Sequence, residues 1–213
     1  MEINYKNTLL KIQNETTSLH YHWILYRQLF GTNDKRIGVL NITAPSFFRA
    51  VHNVLFYYVE LRLVCLSGPA HIKGKKTTSI ELLIEHIESS KNHENNIQYL
   101  KRSLVELRKL TKKFETRRNN FIAHLNHEKS KLPEVSRADV EAALSKLREI
   151  INSIEIIETG TPMAYEMMIV NDGDILIDHL NKSLKYIELV KSGKLKGLGW
   201  ESEPNKHLTN HSS

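Results

Sequence analysis

From Ile97 to Leu125 the apolar side chains recur every three or four residues: Ile97, Leu100, Leu104, Leu107, Thr111, Phe114, Arg118, Phe121, Leu125. A stripe that steps in this way lies along one face of an α-helix and must be buried against other helices. The rest of the chain repeats the pattern. Leu9, Ile12, Leu19, Trp23, Tyr26 and Leu29 share it over residues 3–30, and Leu176, Leu180, Leu184 and Ile187 share a face over 174–191. With only nine glycines and five prolines in 213 residues, there is little turn material for a β fold. The pattern predicts an all-α protein, an antiparallel helical bundle with additional N- and C-terminal helices.

Local signals place the breaks. "FGTND" interrupts the first helix, and a short helix is expected over Lys35 to Leu40. Pro45 suits the first turn of a long helix that is stopped by Gly68-Pro69. "AHIKGKKTT" reads as a loop, and Thr78 with Glu81 has the spacing of a capping box opening a helix to about Glu88. Another helix starts near Glu94. Pro133 ends a linker, and Ser136 with Asp139 repeats the capping logic for a helix to about Ile157. "ETGTPMAYEMMIVNDGD" could be a loop with a short helix or strand inside it. We expect one domain over 1–192 and a polar tail over 193–213.

Composition excludes several classes. One cysteine, Cys65, permits no internal disulfide and no cysteine zinc cage, and its apolar setting suggests an inert core thiol. No stretch approaches the length of a membrane span and no apolar signal core opens the chain, so a cytoplasmic protein with no membrane partner is expected. The net charge is +6, and the segment Lys101 to Arg118 alone carries eight positive and two negative residues. That segment is either a solvated helix face or a phosphate-tracking surface, in which Lys109, Lys112, Lys113, Arg117 and Asn120 would touch RNA.

One local rule is broken. Arg118 occupies a seam position where an apolar residue is due, and a buried guanidinium is costly unless it is paired or faces a cavity. On an unbroken helix Arg117, Asn120 and His124 fall on one polar stripe beside the seam, because seven residues return to within about 20°. A basic patch followed by a histidine is also a common structural arrangement. His127 and Glu128 lack the spacing of a helical zinc site, and no metal or other cofactor is expected. His20 and His22 read as surface or packing residues, Trp23 and the aromatics of 47–58 as core. Neither a phosphate-cradling glycine loop nor a Gly-x-Ser-x-Gly elbow is present.

"RRNNFIAHLNHE" resembles the signature of the HEPN superfamily, an arginine followed four to six residues later by a histidine, with a polar residue directly after the arginine. The "RN-x-x-x-AH" form, with "WILYRQLFG", "RIGVLNITAPSFFRAVHNVLF" and "GKKTTSIELLI" upstream, is similar to the AbiU-type abortive-infection branch. Two departures stand out: "RLVCLSGPAH" where an acidic residue is due near the end of the second long helix, and Asn120 where a basic residue is frequent.

The resemblance implies a helical bundle that forms a homodimer and acts as a metal-independent endoribonuclease in phage defence or a toxin–antitoxin system, with an antitoxin protein as a further partner. Carried over by residue, the catalytic set is Arg118, Asn119 and His124. The phase argument instead makes Arg117 the partner of His124, and a dimeric site could draw its arginine from the other chain. Histidine suits proton transfer and arginine suits the crowded phosphoryl oxygens. The alternatives are a HEPN module that binds RNA or a nucleotide without cutting it, and a helical interaction scaffold.

Overall fold

The computed structural model describes residues 5–89, 94–122, 133–165 and 170–196. Among them are seven α-helices: α1 (Tyr5–Tyr26), α2 (Asp34–Thr43), α3 (Pro45–Ser67), α4 (Ile80–Ser89), α5 (Glu94–Arg117), α6 (Arg137–Thr159) and α7 (Asp172–Lys191). The all-α expectation holds, with one small addition. "AHIKGKKTT" is a two-stranded hairpin, β1 (His71–Ile72) paired antiparallel with β2 (Lys75–Lys76). Its two turn residues, Lys73 and Gly74, have φ of 49° and 75°. This left-handed pair matches the twist of the flanking strands, so a loop-like sequence closes as a hairpin.

Helices α1, α3, α5 and α6 form an up-down-up-down bundle whose directions follow from cross-helix bonds. Ser18 Oγ lies 2.9 Å from the Tyr58 hydroxyl and Tyr26 Oη lies 3.0 Å from His52 Nε2, so α1 and α3 run opposite ways. Arg117 meets Glu60 while Arg108 meets the carbonyls of Ser67 and Gly68, which makes α5 antiparallel to α3. Lys113 with Asp139, and Lys146 with Glu106, set α6 against α5. Consequently the C-terminal ends of α1 and α5 and the N-terminal ends of α3 and α6 all lie at one end of the bundle. The hairpin lies at the other.

The α5 seam is buried as its spacing demands: Ile97, Leu100, Leu104, Leu107, Thr111 and Phe114 are all inside. They meet Leu55, Val59 and Leu63 of α3 and Val140, Leu144, Leu147 and Ile151 of α6 in one core. Helix α4 adds Ile80, Leu83, Ile84 and Ile87. Its start differs from the capping box expected there. The Glu81 carboxylate accepts from the Ala70 amide at 2.7 Å and pairs with Arg108 at 3.1 Å, because the neighbouring hairpin and α5 offer it a donor and a charge.

Helix α7 also departs from its sequence pattern. Ile177 and Gly173 are buried, whereas Leu176 and Ile187 are exposed and of the expected face only Leu180 packs on the core. A close approach decides this. A Cβ on Gly173 would stand 2.7 Å from Gln28 Cβ, and the Gly173 amide donates to Gln28 Oε1 at 3.1 Å. The backbone at Gly173, rather than the leucine face, docks the helix. Cys65 is exposed, correcting the core-thiol reading, since α3 turns that position away from the bundle. Phe47 is likewise exposed while Phe48 and Trp23 are core. Among the described residues no helix is long and apolar enough to cross a membrane.

The second capping box forms in full at the start of α6. Ser136 Oγ accepts from the Asp139 amide at 3.1 Å, and Asp139 Oδ2 accepts from the Ser136 amide at 2.8 Å. These bonds, with Lys113 at 3.0 Å, hold the Asp139 carboxyl down to about 2 from its ordinary 3.8. A depressed carboxylate stabilises the fold above its unfolded pKa and loses that contribution as pH falls through its folded pKa. The stabilisation should therefore be complete above pH 3.8 and vanish toward pH 2. Ser136→Ala should cost about 1 kcal/mol in denaturant unfolding. It should also return the Asp139 titration toward 3.8, read by carboxyl-detected NMR.

Candidate functional site

Helix α5 does not end as an α-helix. Its last turn, Arg118–Ile122, is a π-turn, and the C-terminal end of α1 has another over Arg27–Gly31. A π-turn bonds i to i+5 and so takes about one more residue than an α-turn. The stripe of Arg117, Asn120 and His124 assumed a uniform 100° step across this segment, and that step does not hold through the π-turn. His124, Leu125, His127 and Glu128 lie outside the described residues.

The two arginines have separate surroundings. Arg117 points inward, its Nε 2.8 Å from Glu60 Oε1 of α3. Glu60 is fully buried, whereas the Arg117 side chain keeps 19% of its exposure. Burial raises the Glu60 pKa, and the charge and hydrogen bond of Arg117 oppose that rise. Glu60 Oε2 has no hydrogen-bond partner among the described residues. Thus the inward cation after Phe114 is Arg117, three residues on, because α3 supplies a carboxylate there. Arg118, four residues on, is partly exposed. Its Nε and Nη2 both donate to Asn119 Oδ1, at 3.0 and 2.8 Å.

The remaining basic residues of α5 are largely neutralised by neighbours. Lys113 pairs with Asp139 at 3.0 Å and Lys112 with Glu115 at 2.8 Å. Lys101 pairs with Glu88 at 2.5 Å, and Arg108 with Glu81. Lys109 is exposed, and Asn120 is partly buried on the π-turn. Of the eight cations between Lys101 and Arg118, Arg102, Lys109 and Arg118 have no carboxylate partner among the described residues. The sequence surplus is therefore mostly a set of helix-to-helix clasps. Arg118 is the one of those three cations that sits on the π-turn, and an amide oxygen rather than a carboxylate holds it, so its charge stays available to an anion.

Elsewhere, His20 is buried and stacks on Tyr165 with centroids 6.1 Å apart, and His22 Nδ1 lies 2.6 Å from the Ser18 carbonyl. Both have packing roles. Among the described residues no three His, Cys, Asp or Glu side chains group as a metal site would require.

Residues 3–178 match the family model described as AbiU2, of HEPN type. The chain belongs to the AbiU2 family of HEPN domains. No curated protein and no solved structure matches it. Membership makes this an abortive-infection-related HEPN module and assigns the all-helical fold to that superfamily.

Within this AbiU2 domain the residue that sequence reasoning passed over is Glu60. It stands seven residues before the end of α3, inside "YYVELRL", and not in the "RLVCLSGPAH" stretch where an acid was sought. A signal was present: Phe56, Glu60, Leu63 and Ser67 step by four, three and four, so Glu60 breaks a helical face that is otherwise free of charge. Removing one partner of a buried pair strands the other charge, at about 3–5 kcal/mol. Arg117→Ala should lose about that much stability in urea unfolding. Glu60→Gln, which removes the stranded charge and keeps the shape, should lose distinctly less. Equal losses would mean the pair is not electrostatically coupled.

Proposed function

We propose that this AbiU2 domain is a metal-independent endoribonuclease acting in the cytoplasm in phage defence, as an abortive-infection or toxin–antitoxin effector. Arg118 stabilises phosphoryl charge, Asn119 orients it, and His124 transfers the proton. The observation that carries this reading is the contrast between adjacent arginines. Arg117 is committed to buried Glu60, while Arg118 is held only by an amide at the partly exposed end of α5. Its planar fork of donors suits two oxygens of a phosphate, and it remains charged at any working pH.

The reaction is an in-line attack of a ribose 2′-hydroxyl on the adjacent phosphorus. The new O–P bond forms as the 5′-oxygen bond breaks, giving a 2′,3′-cyclic phosphate and a free 5′-hydroxyl. A base must take the hydroxyl proton and an acid must supply one to the leaving oxygen, on opposite sides of phosphorus. One motif histidine per chain supplies only one of these, so a two-fold homodimer pairing two copies of Arg118 and His124 is the reading's structural requirement. Lys109, Lys112 and Lys113 would then act as peripheral contacts, with Lys109 the one least committed to a carboxylate.

The full-length protein should cut single-stranded RNA in the presence of a chelator and leave a cyclic phosphate, read by gel and mass spectrometry. His124→Ala should slow cleavage by about 10²–10⁴. Arg118→Ala should slow it by about 10²–10³ through loss of a donor aimed at transition-state charge. Degradation at equal rates by wild type and His124→Ala would assign the activity to a contaminant and leave a binding module. The dimer is tested separately: a strict monomer by sedimentation at micromolar concentration, with and without RNA, removes the composite site.

A further inference from the structure

The end of the bundle that carries Arg118 has a second feature, which the proposed cleavage chemistry does not use. Beyond the π-turn of α1, where α2 crosses onto the start of α3, lies a cavity of about 260 Å³. It is lined by Phe30, Leu40, Asn41, Phe48, Arg49 and His52 among others. Leu40 and Phe48 are buried and make an apolar floor. Phe30 stands edge-on to His52 with centroids 5.0 Å apart and forms a partly exposed aromatic wall. His52 is fixed from behind, its Nε2 3.0 Å from the Tyr26 hydroxyl and its Nδ1 3.3 Å from Asn53 Oδ1.

The rim is polar, and its groups are uncommitted. Asn41 and Arg49 are exposed, and neither makes a hydrogen bond or ion pair with another described residue. This contrasts with α5, where most cations are neutralised. An aromatic wall over an aliphatic floor accepts a flat ring. An amide beside it offers a donor and an acceptor side by side, and a guanidinium at the mouth offers a phosphate partner. These are the parts with which proteins hold unstacked bases of single-stranded RNA. The volume falls just below the roughly 300 Å³ at which drug-sized pockets begin, so it suits one ring system.

Position gives a second, independent argument. Glu60 marks the level of Arg117 on α3, and His52 lies eight residues toward the N-terminus, about 12 Å along the helix at 1.5 Å per residue. Because α5 runs antiparallel to α3, that is the direction in which the Arg118 π-turn leads. We propose that this cavity is a nucleobase subsite, holding an unstacked base of the single-stranded RNA whose phosphate lies at Arg118. The inference rests on the ribonuclease reading for the identity of the ligand, and adds to it the place where a neighbouring base is held.

The test uses the full-length protein and a single-stranded RNA with 2′-O-methyl ribose throughout, which lacks the attacking hydroxyl and stays intact. Fluorescence anisotropy measures affinity while an abasic sugar is moved along the strand one position at a time. Wild type should lose about tenfold or more at one or two positions and little elsewhere. Asn41→Trp, at an exposed site where the fold should tolerate it, fills the cavity and should abolish that position-specific loss. Asn41→Ala should reduce it and Arg49→Ala should weaken all strands alike. RNA binding with no position-specific loss, or with the same loss in Asn41→Trp, overturns the subsite and leaves the ribonuclease standing. No binding by wild type overturns both. A position-specific loss abolished by Asn41→Trp, with unmodified RNA left uncut, supports the subsite and removes the ribonuclease.

Discussion

The contact between Glu60 and Arg117 fixes more than two side chains. It joins the middle of α3 to the last α-helical residue of α5, and so sets where the ordinary helix stops and the π-turn begins. A fully buried carboxylate is costly, and the cost is offset only while the guanidinium stays beside it. That condition pins the register of α5 against α3 at the end that carries Arg118. At the opposite end Arg108 does the same work with neutral acceptors, bonding the carbonyls of Ser67 and Gly68 where α3 runs out of intrahelical donors. Between these two clasps the apolar seam from Ile97 to Phe114 has one position in which it can close.

The division of labour between the adjacent arginines follows from that register. Once Arg117 is drawn inward, Arg118 is carried to the partly exposed side, where Asn119 is the neighbour that can orient it. The chemistry proposed for the site therefore depends on a stability device one residue away. A loss of activity in an Arg117 variant would carry both contributions, which is why unfolding and cleavage must be measured on the same protein.

Much of this was legible in the sequence. Period and breaks gave the helices, because apolar spacing and glycine, proline and capping signals are local: the Ser136–Asp139 box and the Pro45 start appear as their residues suggest. Other features depend on partners distant in sequence. Glu81 abandons its local cap for Ala70 and Arg108. The leucine face of α7 yields to Gly173 because Gln28 leaves room for no side chain there. The charge surplus of α5 reads as a binding surface until the carboxylates of α3, α4 and α6 arrive beside it. The motif identified Arg118 as the working arginine, but why Arg118 and not Arg117 should be left to an anion needed Glu60, 57 residues away in the chain.

The two π-turns govern how this domain tolerates change in length. Each is the form left when a helix whose flanks are already pinned takes in one extra residue. The first is pinned by Tyr26 on His52 before it and by Arg137 on the Gly31 carbonyl after it. The second comes directly after Arg117. Deleting a single residue from either would let the turn relax to an ordinary α-helix and rotate the downstream residues by about 100°. The same deletion at an exposed turn of the bundle would do far less. Gain or loss of one residue at this end is thus a discrete switch in the direction that side chains face, available to a lineage without any change in its core.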